Sequence, residues 1–333
     1  MQKRLIRYGD MRPCTNAFID TRTPGSDKKE NFCLIGPGVA EQPGQHVHVR
    51  IPHGFNIGGA RQPKGCVNSQ HSHETEEVFL IHRGQWAFRW GHDAKDGEVV
   101  LGPGDVISIP VHVFRGFENI GDDDEAFLFS ILGGDDPGHV TWAPYVFEAA
   151  KGHGLVLLED GTLIDTTIGQ TVPAGAREQA PTTMADVARH RRMSADEMLA
   201  CVQFEKDFAG PGDSALARRS VGVKEHPIIG AANPAEGIGA GKLDWPHGFH
   251  FRRLELAPGA HVPPHARAEE EVLFVHAGAV KLQWDGKALL LGKGDTLTVP
   301  KGLVRSLANG GDGQTAVYVV RGTNAPAAPA WQA

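Results

Sequence analysis

Residues 65–84 read Gly65-Cys-Val-Asn-Ser-Gln-His71-Ser-His73-Glu-Thr-Glu-Glu77-Val-Phe-Leu-Ile-His-Arg-Gly84. Two histidines one residue apart and a glutamate sit between framing glycines. The frame returns as Gly259, His265, Arg267, Glu271 and Gly278, each 194 residues further on. Just upstream, Pro52-His-Gly-Phe55 returns as Pro246-His-Gly-Phe249 with the same offset. Downstream, Gly102-Pro-Gly-Asp-Val-Ile-Ser-Ile-Pro110 is answered by Gly292-Lys-Gly-Asp-Thr-Leu-Thr-Val-Pro300, and Asn119 by Asn309, now 190 apart. A four-residue difference in one loop accounts for the change. A register kept over roughly seventy residues marks a duplicated unit.

The duplicated stretches are made of short strand-like runs. Glu77 to His82 and Gln85 to Trp90 are apolar or alternating and are parted by Arg83-Gly84. Val106 to Pro110, Val111 to Phe117 and Ala126 to Leu132 follow, each of strand length. The second copy offers Phe249 to Leu256, Glu271 to His276, Val280 to Trp284, Thr296 to Val299 and Ala316 to Val320. Many short strands between glycine turns point to a closed double-sheet β architecture. We therefore expect an all-β chain of two such barrels. The first spans 1–134, a mixed segment 135–235, the second barrel 236–323 and a mobile tail 324–333. In the mixed segment Trp142 to Glu148 and Leu155 to Leu163 read as a strand pair. Ser194-Ala-Asp-Glu197 reads as a capping box opening a helix to about Phe204, and 182–190 as another short helix.

Composition narrows the function classes. The net charge of −7, with basic residues scattered, argues against a nucleic-acid groove. Apolar runs are short and broken by charge, which argues against a membrane span. The N-terminal residues lack an apolar stretch, so no signal peptide is expected. Cys14, Cys33, Cys66 and Cys201 lack paired spacing and read as reduced thiols of a cytoplasmic protein.

Gly65, His71, His73, Glu77 and Gly84 match the first sequence signature of the cupin superfamily, which the chain resembles. The second signature is met at Gly104, Pro110 and Asn119 in copy one. There His112 stands where a glycine is expected and Arg115 where a histidine is expected. Copy two supplies Gly294, Pro300, Gly302 and Asn309, with Arg305 in the histidine position. The resemblance implies a bicupin, two jelly-roll barrels in one chain. It extends distantly to ring-cleaving dioxygenases of the gentisate and hydroxynaphthoate type, and it implies a homodimer.

The chemistry can also be argued from the residues. Residues two apart on a strand face one side, so His71 and His73 can offer two imidazoles to one ion. Glu77 would add a carboxylate oxygen from the next strand. Two histidines and a carboxylate form the ligand set of mononuclear non-haem Fe(II) oxygenases, and also suit Mn, Ni, Co or Zn. Arg115 complicates this, because it stays protonated. A fixed positive charge ~4 Å from a divalent ion costs several kcal/mol even at a dielectric of about 20. Three readings stand open. Arg115 grips an anionic substrate; it pairs with Glu77 and leaves no metal at all; or it turns away and His112 completes the ligand set. In copy two, His265, Arg267, Glu271 and Arg305 would repel a cation. They read as a vestigial site closed by an internal Arg–Glu pair, or as an anion pocket. Phe114, Phe117, Phe127 and Phe129 read as barrel core, as do the matched Trp90 and Trp284.

The leading functional expectation is an Fe(II) dioxygenase acting with dioxygen on a small hydroxylated, aromatic carboxylate. The alternatives are a non-oxidative metal-dependent isomerase, lyase or hydrolase, with His53, His82 or Glu76 as acid–base groups, and a non-catalytic small-ligand binder.

Overall fold

The protein's structure is a computed structural model, and it describes residues 1–332 apart from Pro43 and Ala209. The chain divides into two compact units. One comprises Arg12–Ile51 and Asn56–Val202; the other comprises Met1–Met11, Pro52–Phe55 and the chain from Gln203 onward. Stretch 135–235 is therefore not a piece of its own, since it is divided between the units at Val202/Gln203.

The first unit holds two sheets. One is five-stranded, in the order Thr141–Trp142, Val67–Ser72, Arg115–Asn119, Trp86–Trp90 and Gly97–Leu101. The other carries Val106–Ile109, Glu77–Arg83, Ala126–Gly133, Phe55–Gln62, Glu30–Ile35 and Val47–Val49 as successive neighbours. Pairing is antiparallel except between the last two strands. Their inner faces bury an aromatic cluster in which Phe79, Phe88 and Phe117 lie 5.2–5.5 Å apart between ring centroids. Trp90 is buried and donates its indole N–H to Met193 O at 2.9 Å.

The second unit folds around one ten-stranded sheet. Its spine is the 18-residue strand Phe249–Ala266, which pairs with Thr315–Gly322, Val221–Ile229 and Arg305–Asn309. The N-terminal pair Leu5–Ile6 joins this sheet beside Thr296–Val299. The core is aliphatic, with Leu254, Leu256, Leu273, Leu282 and Leu307 among its buried members.

The framing glycines have a steric cause. Gly84 has φ +88°, and a Cβ there would lie 2.3 Å from that of Ala126. Its counterpart Gly278 has φ +72°, with Thr315 Oγ1 only 2.4 Å from the same added atom. Only glycine suits both the left-handed turn and the close approach.

Three local expectations are corrected. Pro144–Gly152 is a helix, with Pro144 at its first position, not part of a strand pair. The pair there is Leu155–Leu157 with Leu163–Asp165. The strand expected over Val111 to Phe117 starts only at Arg115, because His112 sits at φ +58° in the preceding turn. The tail is held at Pro326 and at Ala330–Trp331. Ala330–Trp331 pairs with His265 and Ala266, and Asn233 Nδ2 donates to Pro326 O at 2.8 Å. Both expected helices are present, as Met184–Val187 and Ala195–Ala200, each opened by a reciprocal capping box.

Candidate metal centre

His71 ends the strand Val67–Ser72 and His73 follows it, so both enter the first barrel from the five-stranded sheet. Glu77 opens the strand Glu77–Arg83 of the opposing sheet. The three side chains converge, with one ligand atom from each lying within 4.8 Å of the others. All three are buried. The two imidazole rings meet edge to face at 5.0 Å, and His73 Nε2 is 3.3 Å from Glu77 Oε2.

The orientation of His71 is locked. Its Nδ1 lies 2.7 Å from Ser69 O, a bond in which the ring nitrogen carries the proton. Nε2 is then the nitrogen left with a lone pair, as a metal-ligating histidine requires. Trp142 lies against the ring at 5.2 Å and pairs with His71 in the sheet. Trp142 is fixed in turn, since its indole N–H donates to Glu41 Oε1 at 2.6 Å. Burial pushes the Glu41 carboxyl up to about 8 against the hydrogen bonds from Trp142 and Ile19.

The protonation states suit a donor set. Burial, together with the nearby Arg115, lowers the His71 and His73 pKa values, so both are neutral ligands at neutral pH. Burial alone would raise the Glu77 carboxyl, but His73 and Arg115 beside it outweigh that and hold it well below its usual range. Two neutral nitrogens and an ionised carboxylate form a chemically sound site for a divalent cation.

Arg115 does not reach into open space. Its Nη2 bonds Glu77 Oε2, and its Nη1 donates to His71 O at 3.2 Å. With 1% of its side chain exposed, both of its Nη groups are engaged and only the buried Nε is left without a partner. Of the three readings, the geometry corresponds to the pair with Glu77. A carboxylate has about four lone-pair positions, so one held by Arg115 can still ligate through others. Ligating carboxylates are commonly held this way by an outer hydrogen bond. His112 is not among the converging groups. Its backbone N–H bonds His73 O, and its ring meets the edge of His190 at 5.9 Å. Its left-handed backbone in the turn puts it outside the donor set.

The second barrel repeats the clasp. Arg305 Nη2 bonds Glu271 Oε1, and Arg305 Nη1 donates to His265 O at 3.1 Å. Arg267 replaces the second imidazole. The internal Arg–Glu pair read from sequence is the edge of a larger buried network. Arg267 Nη1 reaches Glu236 Oε1 at 2.6 Å, Arg321 reaches both Glu236 oxygens at 2.8 Å, and Arg252 binds Glu236 and Glu225. Four arginines thus face three glutamates in the barrel interior. Glu225, Glu236, Arg252 and Arg321 carry no motif, and sequence reading missed them.

A small cavity of ≈ 80 Å³ opens beside the first cluster. His71, His73 and Glu77 line it, with Phe18, Phe32, Phe79, Phe117 and Trp142. Phe117, read as core, is both core and cavity wall. Phe114, Phe127 and Phe129 are buried away from the cavity. His53, His82 and Glu76 are absent from its lining, so the geometry does not offer them as acid–base groups.

Residues 60–132 and 252–321 each match the cupin domain family. No curated protein sequence matches the chain. Oxalate decarboxylase from Bacillus subtilis at pH 4.6 superposes with a TM-score of 0.55 at 12% identity, over 97% of this chain and 77% of that one. Lactobacillus farciminis oxalate decarboxylase in its formate complex gives 0.56 at 10% identity, over 97% and 87%. At such identities the likeness is one of fold. The chain is a bicupin of the cupin superfamily, with two jelly-roll cupin domains in one polypeptide. Among the described residues, no helix is long and apolar enough to cross a membrane.

Proposed function

We propose that the chain is a metal-dependent enzyme with one centre, in the first barrel, where His71, His73 and Glu77 hold a divalent cation. The observation that carries this reading is the convergence of two imidazoles and a carboxylate within 4.8 Å, next to a cavity. The second barrel lacks the equivalent imidazole and is a scaffold closed by ion pairs. The ligand set favours Fe(II), and with it a dioxygenase reaction. When bound, the cation would supply Lewis-acid polarisation of a substrate oxygen and, as iron, a site for dioxygen.

The chain's own residues set the conditions for that chemistry. Ser69 O fixes the tautomer of His71. Arg115 orients Glu77 and offsets its charge, which moderates the hold on a cation. The aromatic wall excludes water, which strengthens electrostatics at the centre. The likeness to oxalate decarboxylases keeps a non-oxidative reaction as a second reading. Oxalate itself is disfavoured, because a dianion wants a free cationic side chain and Arg115 is already engaged.

Protein purified without chelator should hold close to one metal per chain. Iron with oxygen uptake on a panel of catechols, dihydroxybenzoates and hydroxynaphthoates supports the dioxygenase. Manganese or zinc without uptake supports the second reading, and absence of metal after growth in rich metal refutes both. Sedimentation analysis tests the homodimer implied by the family resemblance.

A further inference from the structure

We infer that the first-barrel cavity is built for a small, uncharged, largely apolar compound that turns its oxygens toward His71 and His73, and that it discriminates against carboxylates. This rests on the metal-centre reading for its orientation but not for its charge preference. The walls carry five aromatic side chains, closed off by aliphatic Val39, Val140 and Leu132. Large apolar faces favour an apolar occupant at little entropic cost.

The polar groups in the wall are mostly occupied. Asn56 accepts from Gly38 N at 3.0 Å and donates to Gly134 O at 2.8 Å. Gln45 Nε2 donates to Pro37 O at 3.0 Å, and Asn68 Oδ1 accepts from Lys29 Nζ at 3.0 Å. The indole N–H of Trp142 is held by Glu41. The two nearby cations are each ion-paired already. Arg115 is clasped to Glu77 and His71 O, and the fully buried Lys29 ammonium is paired with Asp20. Neither belongs to the wall. Among the described residues, the only ionised group lining the cavity is therefore Glu77, an anion. A carboxylate placed here would lose its water and gain no cationic partner beyond the metal.

The wall thus selects on charge before any chemistry at the centre.

The test is calorimetric titration of the full chain, once stripped of metal and once loaded with Mn²⁺, using matched pairs. These are catechol against 2,3-dihydroxybenzoate, and phenol against benzoate. The uncharged member should bind at least tenfold more tightly in both states, and a Ser130→Lys variant, which puts an ammonium in the wall, should narrow or reverse the gap. If Ser130→Lys does not fold, the wild-type pairs alone decide. Carboxylates binding as well as their uncharged partners, or no binding of either, overturns the inference. Failure to take up Mn²⁺ with the preference intact would refute the metal centre and leave the cavity assignment standing.

Discussion

The heaviest single consequence of the structure falls on Glu236, a residue without a motif. It accepts from Arg252, Arg267 and Arg321 and is 2% exposed. Burial would raise its carboxyl, but Arg321 and Arg252 pull it down to about 2 from 4.5. At about 1.4 kcal/mol per pKa unit, that depression corresponds to roughly 3 kcal/mol of folding stability at neutral pH. Replacing Glu236 with glutamine keeps the shape and removes the charge. It also turns an N–H donor toward guanidinium donors. Four buried arginines would then face two glutamates. Breaking a buried ion pair costs about 3–5 kcal/mol, so the two routes agree. For a unit of this size, about 4 °C per kcal/mol gives a Tm lower by about 12–20 °C in the second unit's transition. Differential scanning calorimetry of the full chain reads this directly. The pH dependence supplies a control. A depressed folded pKa means that the contribution is present above pH 4.5 and is lost as pH falls toward 2. The gap between variant and wild type should therefore close over that window. A Tm drop below about 3 °C at pH 7, or a gap that persists at pH 2, would refute the reasoning.

Further outcomes follow from the same geometry. His73→Ala should abolish metal retention measured by atomic emission, whereas Arg267→Ala should keep the metal and lose stability; equal metal loss in both would give the second barrel a direct role. Arg115→Met leaves Glu77 buried without its partner, a cost of about 3 kcal/mol that a cation can offset. Its thermal shift on adding Mn²⁺ should exceed that of wild type, and identical shifts would mean that Arg115 does not modulate the site. Deleting residues 325–333 removes the pairing of Ala330–Trp331, the Asn233–Pro326 bond and the stacking of Arg219 on Trp331 at 5.1 Å. We expect a loss of about 2–3 kcal/mol by chemical denaturation, from roughly 1 kcal/mol per hydrogen bond, and an unchanged midpoint would show the tail to be dispensable.

The duplication and the three donors were legible because both depend on short-range spacing. A two-residue step on a strand and a glycine turn have the same meaning in any sequence. The helix Pro144–Gly152 was misread because Tyr145, Val146 and Phe147 carry strand propensity; the first-position proline was the signal that could have found it. His112 failed as a candidate for a backbone reason, since its positive φ is not encoded by residue type. Glu41 was invisible because its role comes entirely from Trp142, 101 positions away.

By itself, then, the amino-acid order determined two β barrels, one with two histidines and a glutamate at the matched positions and one with an arginine in place of the second histidine, since periodicity and local stereochemistry are properties of neighbours along the chain. Only the folded structure decided what Arg115 holds, how Glu236 gathers three arginines, and which charges are spent before a substrate arrives. Those outcomes depend on groups brought together across sheets, where burial fixes each cation to its nearest carboxylate, and such pairings have no signature in linear spacing.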